Sequence, residues 1–199
     1  MKNHFIIGVT GAVAGLLMSL GVASAAEHEN GKMKHPDQHF MKEAAQGGQG
    51  EVALGQMAAK QAANEDVKKF GQRMVDDHSK ANEELKNLAT SEGVILPTDM
   101  DEKTKALQQR LAKLSGAEFD RAYMEEMVKD HKKDVAEFEH EATKGNDPEV
   151  KSWAAKTVPT LKDHLDLAQN TAEKVGVKLS AADKSAEATE TTGKSARHQ

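Results

Sequence analysis

The 199-residue chain has no cysteine, only four prolines and few aromatics: five Phe, one Trp and one Tyr. Without thiols, disulfides, thiolate metal sites, thiol catalysis and a lipoprotein anchor are excluded. The scarcity of aromatic rings speaks against a β-sandwich or barrel, whose strands draw on Val, Ile, Thr and aromatic side chains. Positive charge is not in excess either. The formal net charge is −5 and the isoelectric point about 6.0, so no nucleic-acid partner is expected. Ser-His-Asp spacings, phosphate loops and basic patches are missing too. What is abundant is Ala, Glu, Lys, Gln and Leu, with 30% of residues charged, and that is the composition of an all-α protein.

Lys2 and His4 head an apolar stretch from Phe5 to Val22, followed by the small-x-small site Ala23-Ser24-Ala25. This is the pattern of a cleaved secretory signal peptide over 1–25, which places the protein in the periplasm or outside the cell. The alternative is an uncleaved anchor helix, since a run of about 18 apolar residues is barely long enough to span a bilayer. Residues 26–37 are polar and punctuated by turn formers such as Asn30, Gly31 and Pro36, and read as a flexible leader. Residues 178–199 hold Ala, Ser, Thr, Glu and Lys with almost no large apolar group, and read as a disordered tail. One domain remains, at 38–177.

Within it the apolar spacing predicts four long helices at about 37–62, 64–92, 116–144 and 147–175. Asp37 is the expected N-cap of the first, Asn64 opens the second, and Asp147-Pro148 opens the fourth with proline at the first helical position. Gly93 and Pro97 close the second, and Gly145 closes the third. A short extra helix is expected near Lys103–Leu114, in the long middle connection. Gly47, Gly48 and Gly50 imply a bend or close packing in the first helix, and Pro159 a kink in the fourth. Two hairpins joined by one long link form the layout of a ferritin-like four-helix bundle. An up-down bundle closed by a short overhand connection is the alternative.

Shifted by 53 residues, Phe70–Leu85 overlays Tyr123–Phe138, with Met74/Met127, Val75/Val128, Asp77/Asp130, His78/His131, Lys80/Lys133 and Glu84/Glu137 identical. The match suggests two related halves.

The apolar seams carry polar intruders. His78 lies on the seam Val67-Gly71-Met74-His78-Ala81-Leu85-Leu88, His131 on Met124-Val128-His131-Val135-Phe138, and His164 on Val150-Ala154-Thr157-Leu161-His164-Ala168. Glu51 falls inward on the first helix. At about 1.5 Å per residue these four lie roughly 18–24 Å from their helix ends, near mid-height. Asp77, Asp130 and Asp163 each precede a seam histidine, about 100° round the helix, where a carboxylate can accept an imidazole N–H from a neighbouring helix. Two readings stay open. Glu51, His78, His131 and His164 form a site for a divalent transition metal such as Zn, Cu or Fe, or they form a metal-free polar layer that fixes helix register. The di-iron pattern, which pairs inward Glu residues with two Glu-x-x-His motifs, is missing: Val75 and Leu161 stand three residues before His78 and His164, and His140 of Glu137-Phe-Glu-His140 is half a turn out of phase. No catalytic residue is expected. Met57, Met74, Met124 and Met127 are expected to pack, and His28, Met33, His35 and His39 to be solvated.

Phe40…Ala44-Ala45…Glu51…Leu54-Gly55, Met74-Val-x-Asp77-His78, Leu96-Pro97, Phe119-Asp120-x-x-Tyr123…Met127-Val-x-Asp130-His131 and Val158-Pro159-x-Leu161-x-x-His164 together resemble the domain-of-unknown-function 4142 family. The resemblance spans about 38–176. It implies an exported or outer-membrane-associated bacterial protein with a ferritin-like fold and no established activity, and it matches the family's motif histidines to His78, His131 and His164. Two functions follow as expectations. One is a module binding a metal or small ligand through the central Glu/His layer. The other is a non-catalytic structural, stress or interaction protein of the cell envelope, with an envelope protein partner or peripheral outer-membrane association.

Overall fold

The computed structural model describes residues 35–181 and 183. The signal-peptide pattern at 1–25, its cleavage site, His28 and Met33 in the leader, and residues 184–199 of the tail lie outside them. The described residues form five helices and no strand: α1 His35–Gln61, α2 Glu65–Ser91, α3 Glu102–Leu111, α4 Gly116–Lys144 and α5 Pro148–Lys174. None is long and apolar enough to cross a membrane.

Local signals account for most boundaries. The Asn64 side chain accepts from the Asp66 N–H, Asp101 from Lys103 and Thr104, and Asp147 from Glu149 and Val150, with Pro148 in the first turn. Gly93 takes a positive φ of 66° just after α2, a conformation that costs glycine little. The start of α1 differs from expectation. The helix begins at His35, so Asp37 lies inside its first turn rather than capping it. The Asp37 carboxylate reaches instead to the turn between α4 and α5, where it accepts from the backbone N–H groups of Asn146 (3.1 Å) and Asp147 (3.0 Å).

At the opposite end Asp120, in the second turn of α4, accepts from the backbone N–H groups of Ala63 (3.0 Å) and Asn64 (2.9 Å) in the turn between α1 and α2. Each hairpin turn is therefore held by a carboxylate from the other hairpin, and the orphan donors of a helix start are satisfied from outside. These contacts fix the topology. The start of α1, the end of α4 and the start of α5 share one end of the bundle, where Phe40 meets Phe138 and Trp153 edge to face and those two rings pack at a tilt. The end of α1, the start of α2 and the start of α4 share the other, where Gln61 donates to the Leu111 carbonyl (3.3 Å). The chain from 92 to 115 must run the length of the bundle, α3 included, so α2 and α4 are parallel. That is the ferritin-like arrangement rather than the overhand one.

The same contacts correct the repeat. In sequence the two hairpins align at an offset of 83 residues, Asp37 with Asp120 and Asn64 with Asp147, with Phe40/Tyr123, Met41/Met124, Val67/Val150 and Phe70/Trp153 in step. The 53-residue overlay pairs α2 with α4. Those helices run parallel and carry histidines at one height, but they are not corresponding members of the two hairpins.

The core has two apolar parts. One gathers Leu54, Val67, Phe70, Met74, Leu111, Phe119, Tyr123, Met127 and Leu165, the other Met41, Leu85, Phe138, Val150, Trp153 and Leu161. Met74, Met124 and Met127 are fully buried among apolar neighbours and Met57 packs beside them, as expected of core methionines. At the seam of α1 and α2 a Cβ on Gly71 would lie 2.7 Å from the Gly55 carbonyl oxygen, so the helices close at a distance only glycine permits. Gly48 and Gly50 pack as tightly, against Asn82 and Thr104, while a Cβ on Gly47 would meet nothing. Both α1 and α5 run unbroken, the latter through Pro159.

The folded unit extends past its expected limit at 177. Val177 and Leu179 pack on the core, the Asp183 carboxylate pairs with Lys132 (3.1 Å), and Gln169 donates to the Asp183 carbonyl. Leu179 and Asp183 hold the described residues 178–181 and 183 against the helices, although their polar composition reads as non-folding.

Candidate metal centre

Between the two apolar parts lies a polar layer. His78 follows Met74 by one turn of α2, His131 follows Met127 by one turn of α4, and His164 sits between Leu161 and Leu165 on α5. Helical phase alone turns all three inward, and mid-height placement brings them together. Their ring centroids form a nearly regular triangle: 5.8 Å from His78 to His131, 5.3 Å from His78 to His164 and 5.4 Å from His131 to His164. One ligand nitrogen from each lies within 4.8 Å of the other two. The side chains are buried, with 7%, 0% and 1% exposure for His78, His131 and His164.

Hydrogen bonds orient the rings. His131 Nδ1 is 2.9 Å from the Met127 carbonyl oxygen and donates to it, which leaves Nε2 as a lone-pair nitrogen. His164 Nε2 donates to the Asp77 carboxylate at 2.8 Å, which leaves Nδ1 bare. His131 Nε2, His164 Nδ1 and His78 Nε2 are all buried without a hydrogen-bond partner. A carbonyl or carboxylate holding the far nitrogen of a ring is the usual support for an imidazole ligand.

Burial also sets the charge. Desolvation pushes the His131 imidazole down to about 3, and the neighbouring His164 adds to the effect. Desolvation lowers His78 strongly, with repulsion from His131 and His164 behind it. His164 is lowered by burial against the opposing pull of Asp77. All three are neutral at pH 7, the state that ligates metals. Burial works against the Asp77 carboxylate, but its bonds to Arg73 and His164 outweigh that and hold it below the usual range.

Glu51 is 5% exposed, and its Oε2 is a buried oxygen without a partner. It does not join the three nitrogens in one cluster of mutually close ligand atoms. Its surroundings are Asp130, Asp134 and Tyr123: burial, then repulsion from Asp134 and Asp130, raises its carboxyl well above the ordinary range, and burial raises the Tyr123 hydroxyl, with Glu51 adding to it. Of the three aspartates that precede the histidines, Asp77 alone makes the expected bond. Asp130 faces the side of α4 toward Lys103, and Asp163 is exposed. The same 100° step leads to a neighbouring helix only where one is packed close enough, as α5 is on α2. His140 is exposed, as its phase requires, and His39 is exposed and paired with Glu43 at 3.0 Å.

Sequence reasoning passed over Asp134 and Tyr123. Asp134 is half-buried, three residues after His131 on the same side of α4, and desolvation lifts its carboxyl to about 7. The spacing His131-x-x-Asp134 was the available signal.

The sequence matches the family described as a domain of unknown function (DUF4142) over residues 22–171. No curated protein matches it. Among solved structures, CopM in the Cu(II)-bound form is similar, with a TM-score of 0.59 and 17% identity, over 69% of this chain and 96% of that one. At that identity the likeness is one of fold.

Proposed function

The chain belongs to the DUF4142 family, which brings no activity with it, and we propose that it is an exported transition-metal-binding bundle whose ion is held by His78, His131 and His164. One observation carries the reading: three buried, neutral imidazoles converge with a bare nitrogen each, while two of their far nitrogens are tied back by Met127 and Asp77. A buried polar atom without a partner costs about 1–3 kcal/mol, and a cation shared among three lone pairs offsets that cost for all of them together. Nitrogen-only donors favour Cu²⁺ or Zn²⁺ over Mg²⁺ or Ca²⁺, which take oxygen. The triad also lacks the carboxylate of the two-His-one-carboxylate iron sites. Copper is the first metal to test, because the Cu(II)-bound CopM shares the fold. Three protein ligands leave room for a further donor. The signal-peptide pattern supports export.

The test is metal analysis of tag-free protein, with calorimetric titration by Cu²⁺ and Zn²⁺. One ion per chain, lost in His131→Ala and retained in the surface control His140→Ala, is the expected result. Failure of wild type to take up either ion would leave a metal-free layer that sets helix register.

A further inference from the structure

A cavity of about 260 Å³ opens between α1, α3 and α4. Its wall passes from exposed residues, Glu43, Gly47 and Lys103, to the buried His78 and Glu51. Gly47 keeps it wide, because no side chain projects there and a Cβ would meet nothing. Six carboxyl side chains line it, from Glu43, Glu51, Asp101, Asp130, Asp134 and Glu137, against two ammonium groups, Lys103 and Lys133. One of those two is engaged already, by the Lys133–Glu137 pair at 2.9 Å. Six waters occupy roughly 180 Å³ at liquid density, so an ion fits with its hydration shell.

Three of the lining residues carry a buried, unpartnered polar atom, Glu51 Oε2, His78 Nε2 and Trp153 Nε1, and the first two are of metal-ligating type. His131 and His164 have almost no exposed surface and do not line the cavity. His78 is thus the member of the triad through which the cavity meets the histidine layer. We propose that this cavity is an acidic vestibule that draws in a hydrated divalent cation and passes it, by way of Glu51, to His78 and the triad. The proposal rests on the metal-binding reading above and adds the path to it. Carboxylates gathered in a low-dielectric cleft focus the field and raise the rate of cation capture. Glu51 is buried on the same cavity wall as His78 and interacts with Asp134 and Asp130, without being one of the mutually close ligands, which suits it to be a waypoint. An ion there displaces the proton that burial favours on Glu51, releases it to solvent through the cavity and gains a carboxylate oxygen as it sheds water, before three nitrogens replace the rest.

Stopped-flow mixing of the full chain with Cu²⁺ tests this. The readout is quenching of Trp153, the chain's one tryptophan, which lines the cavity. Calorimetry gives Kd alongside. Wild-type binding should slow as salt rises from about 0.02 to 0.3 M, as screening shortens the reach of the carboxylates. Asp134→Asn and Glu51→Gln should each slow association about tenfold, while Glu125→Gln, an exposed acid outside the cavity, leaves it unchanged. Gly47→Leu plugs the mouth with every carboxylate in place; because leucine favours the helix over glycine, the variant folds. It should slow binding and release together at constant Kd. Association at the wild-type rate in both Gly47→Leu and Glu51→Gln overturns the path and leaves the metal site standing. A large rise in Kd for Glu51→Gln at unchanged association rate makes Glu51 a resident ligand and overturns its role as waypoint. No binding by wild type overturns the path and the metal site together.

Discussion

Replacing His131 by leucine separates the packing role of a buried histidine from its chemical role. The side chain is fully buried, its ring edge meets Phe70 at 6.1 Å, Nδ1 donates to the Met127 carbonyl, and Nε2 has no partner. Leucine has similar volume and no polar atom. Without metal, the exchange gives up one hydrogen bond, about 0.5–1.5 kcal/mol, and removes an unpartnered buried nitrogen, about 1–3 kcal/mol. Imperfect shape costs under about 1.5 kcal/mol. The three nearly cancel, so metal-free His131→Leu should lie within about 1.5 kcal/mol of wild type. With metal the order changes. Free ion at 100 times Kd adds about 2.7 kcal/mol to wild type and nothing to a variant that has lost a ligand. Urea unfolding followed by far-UV circular dichroism, once with chelator and once with excess Cu²⁺ or Zn²⁺, measures both. His131→Ala, which empties the site instead of filling it, should cost about 2–4 kcal/mol in chelator, and exposed His140→Ala within about 0.5 kcal/mol. A metal-free His131→Leu destabilised by more than about 3 kcal/mol would reveal a hydrogen-bonded network in the layer. The variant keeping the full metal-induced gain would remove His131 from the ligand set.

Three further outcomes are expected. Asp120→Ala and Asp37→Ala each strand two backbone N–H groups, in turns at opposite ends of the bundle, so each should cost about 1–3 kcal/mol in urea unfolding; a clear loss at one end only would refute the equivalence of the two hairpins. Gly71→Ala drives a methyl to 2.7 Å from the Gly55 carbonyl and 2.8 Å from the Ala58 Cβ, so it should cost about 1–3 kcal/mol, whereas Gly47→Ala, with open space around it, should stabilise by about 0.8–1 kcal/mol; equal effects would show that the close approach of α1 and α2 is not real. Burial, with repulsion from Asp37, lifts the Glu141 carboxyl to about 7. The folded chain therefore keeps a proton that the unfolded chain releases near its ordinary value of 4.5, and stability falls as pH rises through that window and levels off above it. In Glu141→Gln the melting temperature should fall less over the same range, and an unchanged slope would mean Glu141 is solvated.

Much was determined by the sequence alone. Helix ends follow from groups within a turn of the boundary, so Asn64, Asp147-Pro148 and Gly93 mark theirs correctly. The inward direction of His78, His131, His164 and Glu51 follows from a period of about 3.6 residues, which each helix carries whatever surrounds it. The tertiary structure decided what depends on the distance between helices. Phase turns Asp77, Asp130 and Asp163 by the same angle, but α5 lies against α2, so Asp77 reaches His164 while the other two reach no imidazole. Glu51 points inward yet stands among Asp130, Asp134 and Tyr123, because α1 and α4 part around the cavity at Gly47. Asp37 reads as a local cap, but a turn more than a hundred residues away offers it two donors. The offset of 83 was equally hidden: a repeat of hairpins is a relation between packed pairs, and the residues that keep it, Asp37 with Asp120 and Asn64 with Asp147, reveal their equivalence only once each carboxylate is seen holding the other hairpin's turn. A helix's own chemistry sets which way a side chain points; what it meets is set by where the neighbouring backbone lies.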